Sequence, residues 1–278
     1  GYPSQSPSVR GKITRKEVGQ VMNYLNITRF PPLDYACTEA MNTLCTNLSY
    51  CGADIRTILF TSRYEQEGKS GIAMNVMRTL AGYGKRVLLV DADLRCSTLA
   101  RRYRFNYARR EAFGLAQYLA GMCELEDAIY QTDLNGAYIL PAGRDVLNSM
   151  QLLASSRYGE MMRMLKESFD IILVDSPPAG VIVDAVEVAR HCDGAVLVVG
   201  YNKGRGQDIG DVAANIAKTG CQVLGAVMNG VDLKSFRNRK YYYRSDRYSA
   251  YYRRYGEAGR QPDKSTRAEK SARAGKSA

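Results

Sequence analysis

The chain lacks tryptophan, carries a single histidine (His191) and has no Cys-x-x-Cys pair among its seven cysteines. Those absences leave too few ligands at the usual spacing for a zinc site. The cysteines at 37, 45, 51, 96, 123, 192 and 221 follow no regular interval, which predicts reduced, mostly buried thiols and a cytosolic setting. Long apolar runs are missing too: none approaches the roughly 18 residues of a membrane span, and no signal-peptide pattern is visible. The first residue is Gly1 rather than methionine, which leaves an upstream segment open. Acidic residues are few beside basic ones, 28 against 39, for a net charge of +11.

That charge is unevenly placed. Residues 233–278 hold 14 lysines and arginines against 4 acids, a net of +10, and residues 1–30 hold 5 against 1, a net of +4. The stretch between them is slightly acidic, at −3. Apolar residues make up 45% of the 278, enough for a sizeable core in one large domain with tails. The expected organisation is a basic N-terminal segment (1–30), a globular domain (31–232) and a flexible basic tail (233–278). The tail ends in AGRQPDKSTRAEKSARAGKSA, which has almost nothing to bury. Basic ends fit nucleic acid, an anionic membrane surface or an acidic protein face, and charge alone does not choose among them.

Between the ends, apolar runs at 57–61, 86–91, 137–140, 170–175, 195–199 and 223–228 read as strands. Helical patterns at 37–48, 70–83, 157–168, 182–191 and 207–219 separate them. Continuous apolar strands with intervening helices predict an α/β fold, a mostly parallel sheet covered on both faces. In such sheets ligands bind beyond the carboxyl ends of the strands.

Three motifs fall at those ends. The first, Thr61 to Ser70, ends in Glu67-Gly68-Lys69-Ser70 between a strand and a helix. That context is the one in which backbone amides and a helix N-terminus cradle phosphate, with the lysine on the β/γ oxygens and the hydroxyl on Mg²⁺. The second, VLLVDADLR, sets Asp91 and Asp93 two residues apart at the end of a buried strand. Carboxylates there are costly unless a cation or hydrogen bonds hold them, so they point to a metal or to proton acceptance. The third, IILVDSPP, ends its strand in Asp175, a candidate for the Mg²⁺ shell.

Together these motifs resemble the bacterial tyrosine kinases (BY-kinases) of capsular and exopolysaccharide biosynthesis, a branch of the P-loop NTPases. PAGRDVLNSMQLLASS (141–156) and GAVMNGVD (225–232) match as well, so the resemblance covers about Pro32 to Asp232 and the tail. It implies a P-loop kinase domain that uses ATP and Mg²⁺, with Glu67, Gly68, Lys69, Ser70 and Gly71 around the phosphates. Lys69 would meet the β/γ-phosphates and Ser70 the Mg²⁺. Asp91, Asp93 and Asp175 would divide metal coordination and activation of the attacking hydroxyl, with Asp91 as the base. Asn229 would contact adenine. The implied partners are a membrane-spanning polysaccharide co-polymerase or adaptor, further copies of the chain in a ring, and a tyrosine phosphatase. Nucleic acid is not among them, and the implied location is cytoplasmic, at the inner face of the plasma membrane through the adaptor. Three departures bear on this: Glu65-Gln66 stands where members often have a proline and a small residue, Glu39, Asn42 and Cys45 stand where a Glu-x-x-Arg-x-x-Arg ring motif is usual, so both arginines are absent, and Gly204 stands where a threonine is common after the AVLVV strand.

The tail completes the reading. YYYRSDRYSAYYRRY places seven tyrosines in fifteen positions: Tyr241, Tyr242, Tyr243, Tyr248, Tyr251, Tyr252 and Tyr255. Beside a kinase-like site they read as phosphoacceptors. Taken alone, such a stretch would also suit stacking on single-stranded nucleic acid or a solvated low-complexity end. Two other function classes stay open, a partitioning-type ATPase switch and a nucleotide- or nucleic-acid-binding protein with altered catalysis. The partitioning ATPases carry an early lysine in the phosphate loop that Arg63, Tyr64 and Glu65 do not supply.

Overall fold

The computed structural model describes residues 23–109, 112–144, 146–203 and 206–231. All of these but Gly230 and Val231 fall in the compact unit Gly1–Asn229. The expected tail, with its seven acceptor tyrosines, lies outside the described residues.

The chain runs β1 (Asn23–Ile27), α1 (Tyr35–Ser49), β2 (Thr57–Ser62), α2 (Lys69–Gly82), β3 (Val87–Asp91), α3 (Leu99–Tyr103), β4 (Phe105–Tyr107), α4 (Leu115–Leu119) and α5 (Leu125–Ala128). It continues through β5 (Tyr130–Thr132), β6 (Ala137–Leu140), α6 (Ser149–Leu153), α7 (Ser156–Ser168), β7 (Ile171–Asp175), α8 (Asp184–Ala189), β8 (Gly194–Gly200), α9 (Gly206–Ala217) and β9 (Gln222–Asn229). The strands form one sheet in the order β4-β1-β5-β6-β3-β7-β2-β8-β9. From β6 to β9 every neighbouring pair is parallel. The expected α/β fold with a mostly parallel sheet is what the chain adopts.

Alternation along the central strands explains both layers, because successive side chains point to opposite faces. Leu59, Leu88, Val90, Ile172 and Val174 face a core shared with α4, α7, α8 and α9. Ile58, Phe60, Val87, Leu89 and Leu173 face the core against α1 and α2. Met161 and Met162 of α7 are buried in the first of these cores. All seven cysteines are free thiols; Cys45, Cys192 and Cys221 are buried, whereas Cys37 and Cys96 are exposed.

The other side of the sheet departs from expectation. Asn23–Ile27, inside the stretch read as an N-terminal segment, is a strand that pairs with β4 and β5. Its alternating burial buries Leu25 and Ile27, and the Asn23 amide donates to the Asp127 carbonyl at 2.8 Å. In α1, Cys45 is in the core and the Asn42 amide oxygen accepts the Tyr83 hydroxyl at 2.9 Å. The positions where the resemblance led to arginines thus fasten α1 to its own domain.

Candidate active site

The site gathers where β2, β3 and β7 end. Glu67 ties the phosphate loop together: its carboxylate accepts the Tyr64 amide and the Gly200 amide of β8, each at 2.9 Å. The Asn229 side-chain amide donates to the Glu67 carbonyl at 2.9 Å. Gly68 precedes α2 with φ at 92°, and a Cβ there would overlap the Asn229 amide nitrogen. Only glycine meets both demands. Gln66 also has positive φ, at 57°, so the loop holds a bulky residue in a conformation that glycine adopts more easily.

Lys69 opens α2 and is largely buried; Gly71 follows in the same first turn. Asp91 and Asp175 stand side by side in the ladder between β3 and β7. By strand alternation they share the sheet face of Leu89 and Leu173, the one that α2 covers. Each is only 2% exposed. Burial, with Asp175 beside it, pushes Asp91 well above the ordinary carboxylate range, although the Ser97 hydroxyl and the Asp93 amide donate to it. Burial pushes Asp175 up to about 6, against the pull of Lys69 and a hydrogen bond from Ser70. Asp93 is more open and accepts the Cys96 amide at 3.1 Å; burial raises its pKa as well, with Lys69 opposing.

The fit of this cluster to a cation rests on one atom. Asp175 Oδ1 is buried and has no hydrogen-bond partner among the described residues. A buried carboxylate oxygen without a donor is unfavourable in isolation and is relieved by a metal ion or its bound water. Among the described residues no three His, Cys, Asp or Glu converge closely enough to hold a metal unaided. The remaining ligands would be the Ser70 hydroxyl and phosphate oxygens, the usual shell of a nucleotide-borne Mg²⁺.

Lys69, Ser70, Asp91, Asp93 and Asp175, each expected at a strand end from its own motif, lie together in the structure. It places Asn229 at the site as well, with its amide on the phosphate loop. Three features had no signal in the sequence. Arg95 forms a two-point pair with the buried Asp184, which Ser149 also contacts, pinning the DADLR loop to α8. Ser97 closes over Asp91. Arg102, one of several arginines that follow the DADLR loop, lies beside Gly71.

A phosphate loop at a strand end, a helix starting on its lysine and a facing carboxylate define a nucleotide-binding P-loop protein. Residues 56–198 match the family described as an AAA domain. The tyrosine-protein kinase CpsD of Streptococcus pneumoniae is 30% identical over 195 residues, 70% of this chain and 85% of that one. The VpsO kinase domain superposes with a TM-score of 0.65 at 27% identity, covering 71% of this chain and 95% of that one. The septum site-determining protein MinD of Pyrococcus horikoshii, in complex with Mg-ADP, follows at 0.54 and 29% identity, covering 62% and 69%. The chain belongs to the bacterial tyrosine-protein kinase family.

Proposed function

We propose that this site transfers the γ-phosphoryl group of ATP to tyrosines of the chain's own tail, Tyr241 to Tyr255, in a neighbouring copy. Lys69 and the amides of the phosphate loop hold the β/γ-phosphates, and Glu67 and Asn229 keep that loop in shape. Ser70 and Asp175 hold Mg²⁺, which when bound neutralises phosphate charge. Positioning and charge neutralisation supply most of what phosphoryl transfer requires of a protein. The tyrosine hydroxyl, with an ordinary pKa near 10, needs a base. Asp93 fits that role better than Asp91, because Asp91 is closed in by Ser97 and Asp93 is more open.

The observation that carries this reading is the orphaned Asp175 oxygen beside Ser70, in a chain with seven tyrosines in fifteen positions. Its biological setting is control of capsular or exopolysaccharide synthesis, the class to which the related kinases belong. A membrane-spanning co-polymerase or adaptor would hold the chain at the membrane; no helix among the described residues is long and apolar enough to cross one. Each phosphotyrosine adds about −1.5 to −2 charges, so seven would cancel or reverse the +10 of residues 233–278. The tail thereby becomes a charge switch.

The test mixes two variants: a Lys69→Ala chain with an intact tail, and a chain whose seven tail tyrosines are phenylalanine. Phosphate transferred to the Lys69→Ala tail is the expected result. Phosphate in wild type alone, and none in the mixture, would rule out transfer between copies.

A further inference from the structure

Arg102 is a cation that the reaction as described leaves unused. It lies in the last turn of α3, on the exposed side of the helix, while its neighbour Tyr103 is buried. No carboxylate among the described residues forms an ion pair with it. Its two terminal nitrogens lie 3.7 and 3.9 Å from where a Cβ on Gly71 would stand. Gly71 is in the first turn of α2, directly after Lys69 and Ser70, so the guanidinium reaches the turn that faces the phosphates. The absent side chain at Gly71 leaves that approach open.

The charge balance of the site gives this position meaning. Asp91, Asp93 and Asp175 bring three carboxylates to the strand ends, with Lys69 as the cation among them. Phosphoryl transfer spreads further negative charge over the three outer oxygens of the moving group, and P-loop enzymes commonly meet it with an arginine, from the same chain or another. A guanidinium is suited to this because its planar fork spans two phosphoryl oxygens, which an ammonium does not.

We infer that Arg102 is a further catalytic residue, contacting the γ-phosphoryl oxygens from within the same chain as the group is transferred. In that step the phenolic oxygen bonds to the γ-phosphorus. The bond to the β–γ bridging oxygen breaks, ADP leaves with that electron pair, and the phenolic proton passes to Asp93. The inference rests on the reading that the site moves phosphate from ATP.

The experiment uses the full chain, with Arg102→Gln and Arg102→Lys, and follows ADP release and phosphotyrosine in parallel. Nucleotide affinity and thermal midpoint are measured beside them. Arg102→Gln is expected to lower kcat on the order of 100-fold, with ATP affinity and midpoint unchanged. Arg102→Lys should fall between it and wild type, and added guanidinium should restore part of the Arg102→Gln rate but none of the Lys69→Ala rate. An Arg102→Gln chain that turns over at the wild-type rate would overturn the inference, as would a loss wholly explained by weaker ATP binding. Wild type that releases ADP without phosphotyrosine would sink the tyrosine-kinase reading alone, and ADP release would still decide Arg102. Wild type that does neither overturns both.

Discussion

Asp193, just before β8 begins, and Asp175, where β7 ends, lie at opposite strand ends of the parallel sheet, and their surroundings differ in kind. Asp193, just before β8, accepts the Arg56 and Thr57 amides at 3.0 and 2.8 Å and the Lys166 ammonium at 2.6 Å. Burial works against its charge, but those donors outweigh it and hold its pKa below the ordinary value. Asp175, at the end of β7, is pushed up to about 6 and keeps an oxygen without a donor. One carboxylate is fully supplied by the protein and fastens the fold. The other is left short of donors, which suits a carboxylate that a ligand completes.

The sharpest way to break this contrast is Asp175→Asn. Phosphotyrosine formation should fall by at least about 100-fold. The nucleotide-free protein should become more stable by roughly 1–3 kcal/mol, because a buried charge is removed. A melting curve beside a phosphorylation assay reads both; a less stable variant would contradict the contrast.

Next in size, Asp193→Asn should cost about 1–3 kcal/mol by weakening three charge-assisted hydrogen bonds. Turnover per folded molecule should be unchanged. Gly68→Ala should weaken nucleotide binding by about tenfold or more, since the left-handed backbone alone costs about 1–2 kcal/mol. Adding Asn229→Ala should not restore it, because the positive φ remains.

Acid sharpens the comparison. The folded pKa of Asp175, about 6, lies above its reference value of 3.8, so protonation favours the fold and the cost of its charge is relieved as pH falls through 6. Asp193 has the opposite sign: its contribution is present above 3.8 and is lost as pH falls through its lower folded value. Metal-dependent ATP binding needs the ionised Asp175 and should be about tenfold weaker at pH 5 than at pH 7.5, measured by titration calorimetry. The smallest effect is expected from Gln66→Gly, within about 1 kcal/mol in stability, because relief of the left-handed strain offsets the added chain entropy.

How much of this was legible follows from the physics of each element. β2, β3, β6, β7 and β8 were readable because strands with helices on both sides are continuous apolar runs, and β9, although at the sheet edge and largely uncovered, is apolar enough to read the same way. β1 alternates over five residues, and β4 and β5 are three residues each, too short and too polar to announce themselves. At the site, Lys69, Ser70 and the three aspartates were readable because each motif is local and ends a strand. The Asn229–Glu67 contact spans 162 positions and the Arg95–Asp184 pair 89, so neither leaves a local pattern. Arg102 was hidden among other arginines, and only the packing of α3 near the first turn of α2 distinguishes it.

Everything proposed for the strand-end site depends on its phosphorylating tyrosine. The most direct measurement incubates the full chain with Mg-ATP and maps phosphotyrosine by mass spectrometry, beside Lys69→Ala. Phosphate on Tyr241–Tyr255 is expected in the first and none in the second. ADP formed without any phosphotyrosine, or phosphotyrosine that survives Lys69→Ala, would contradict it.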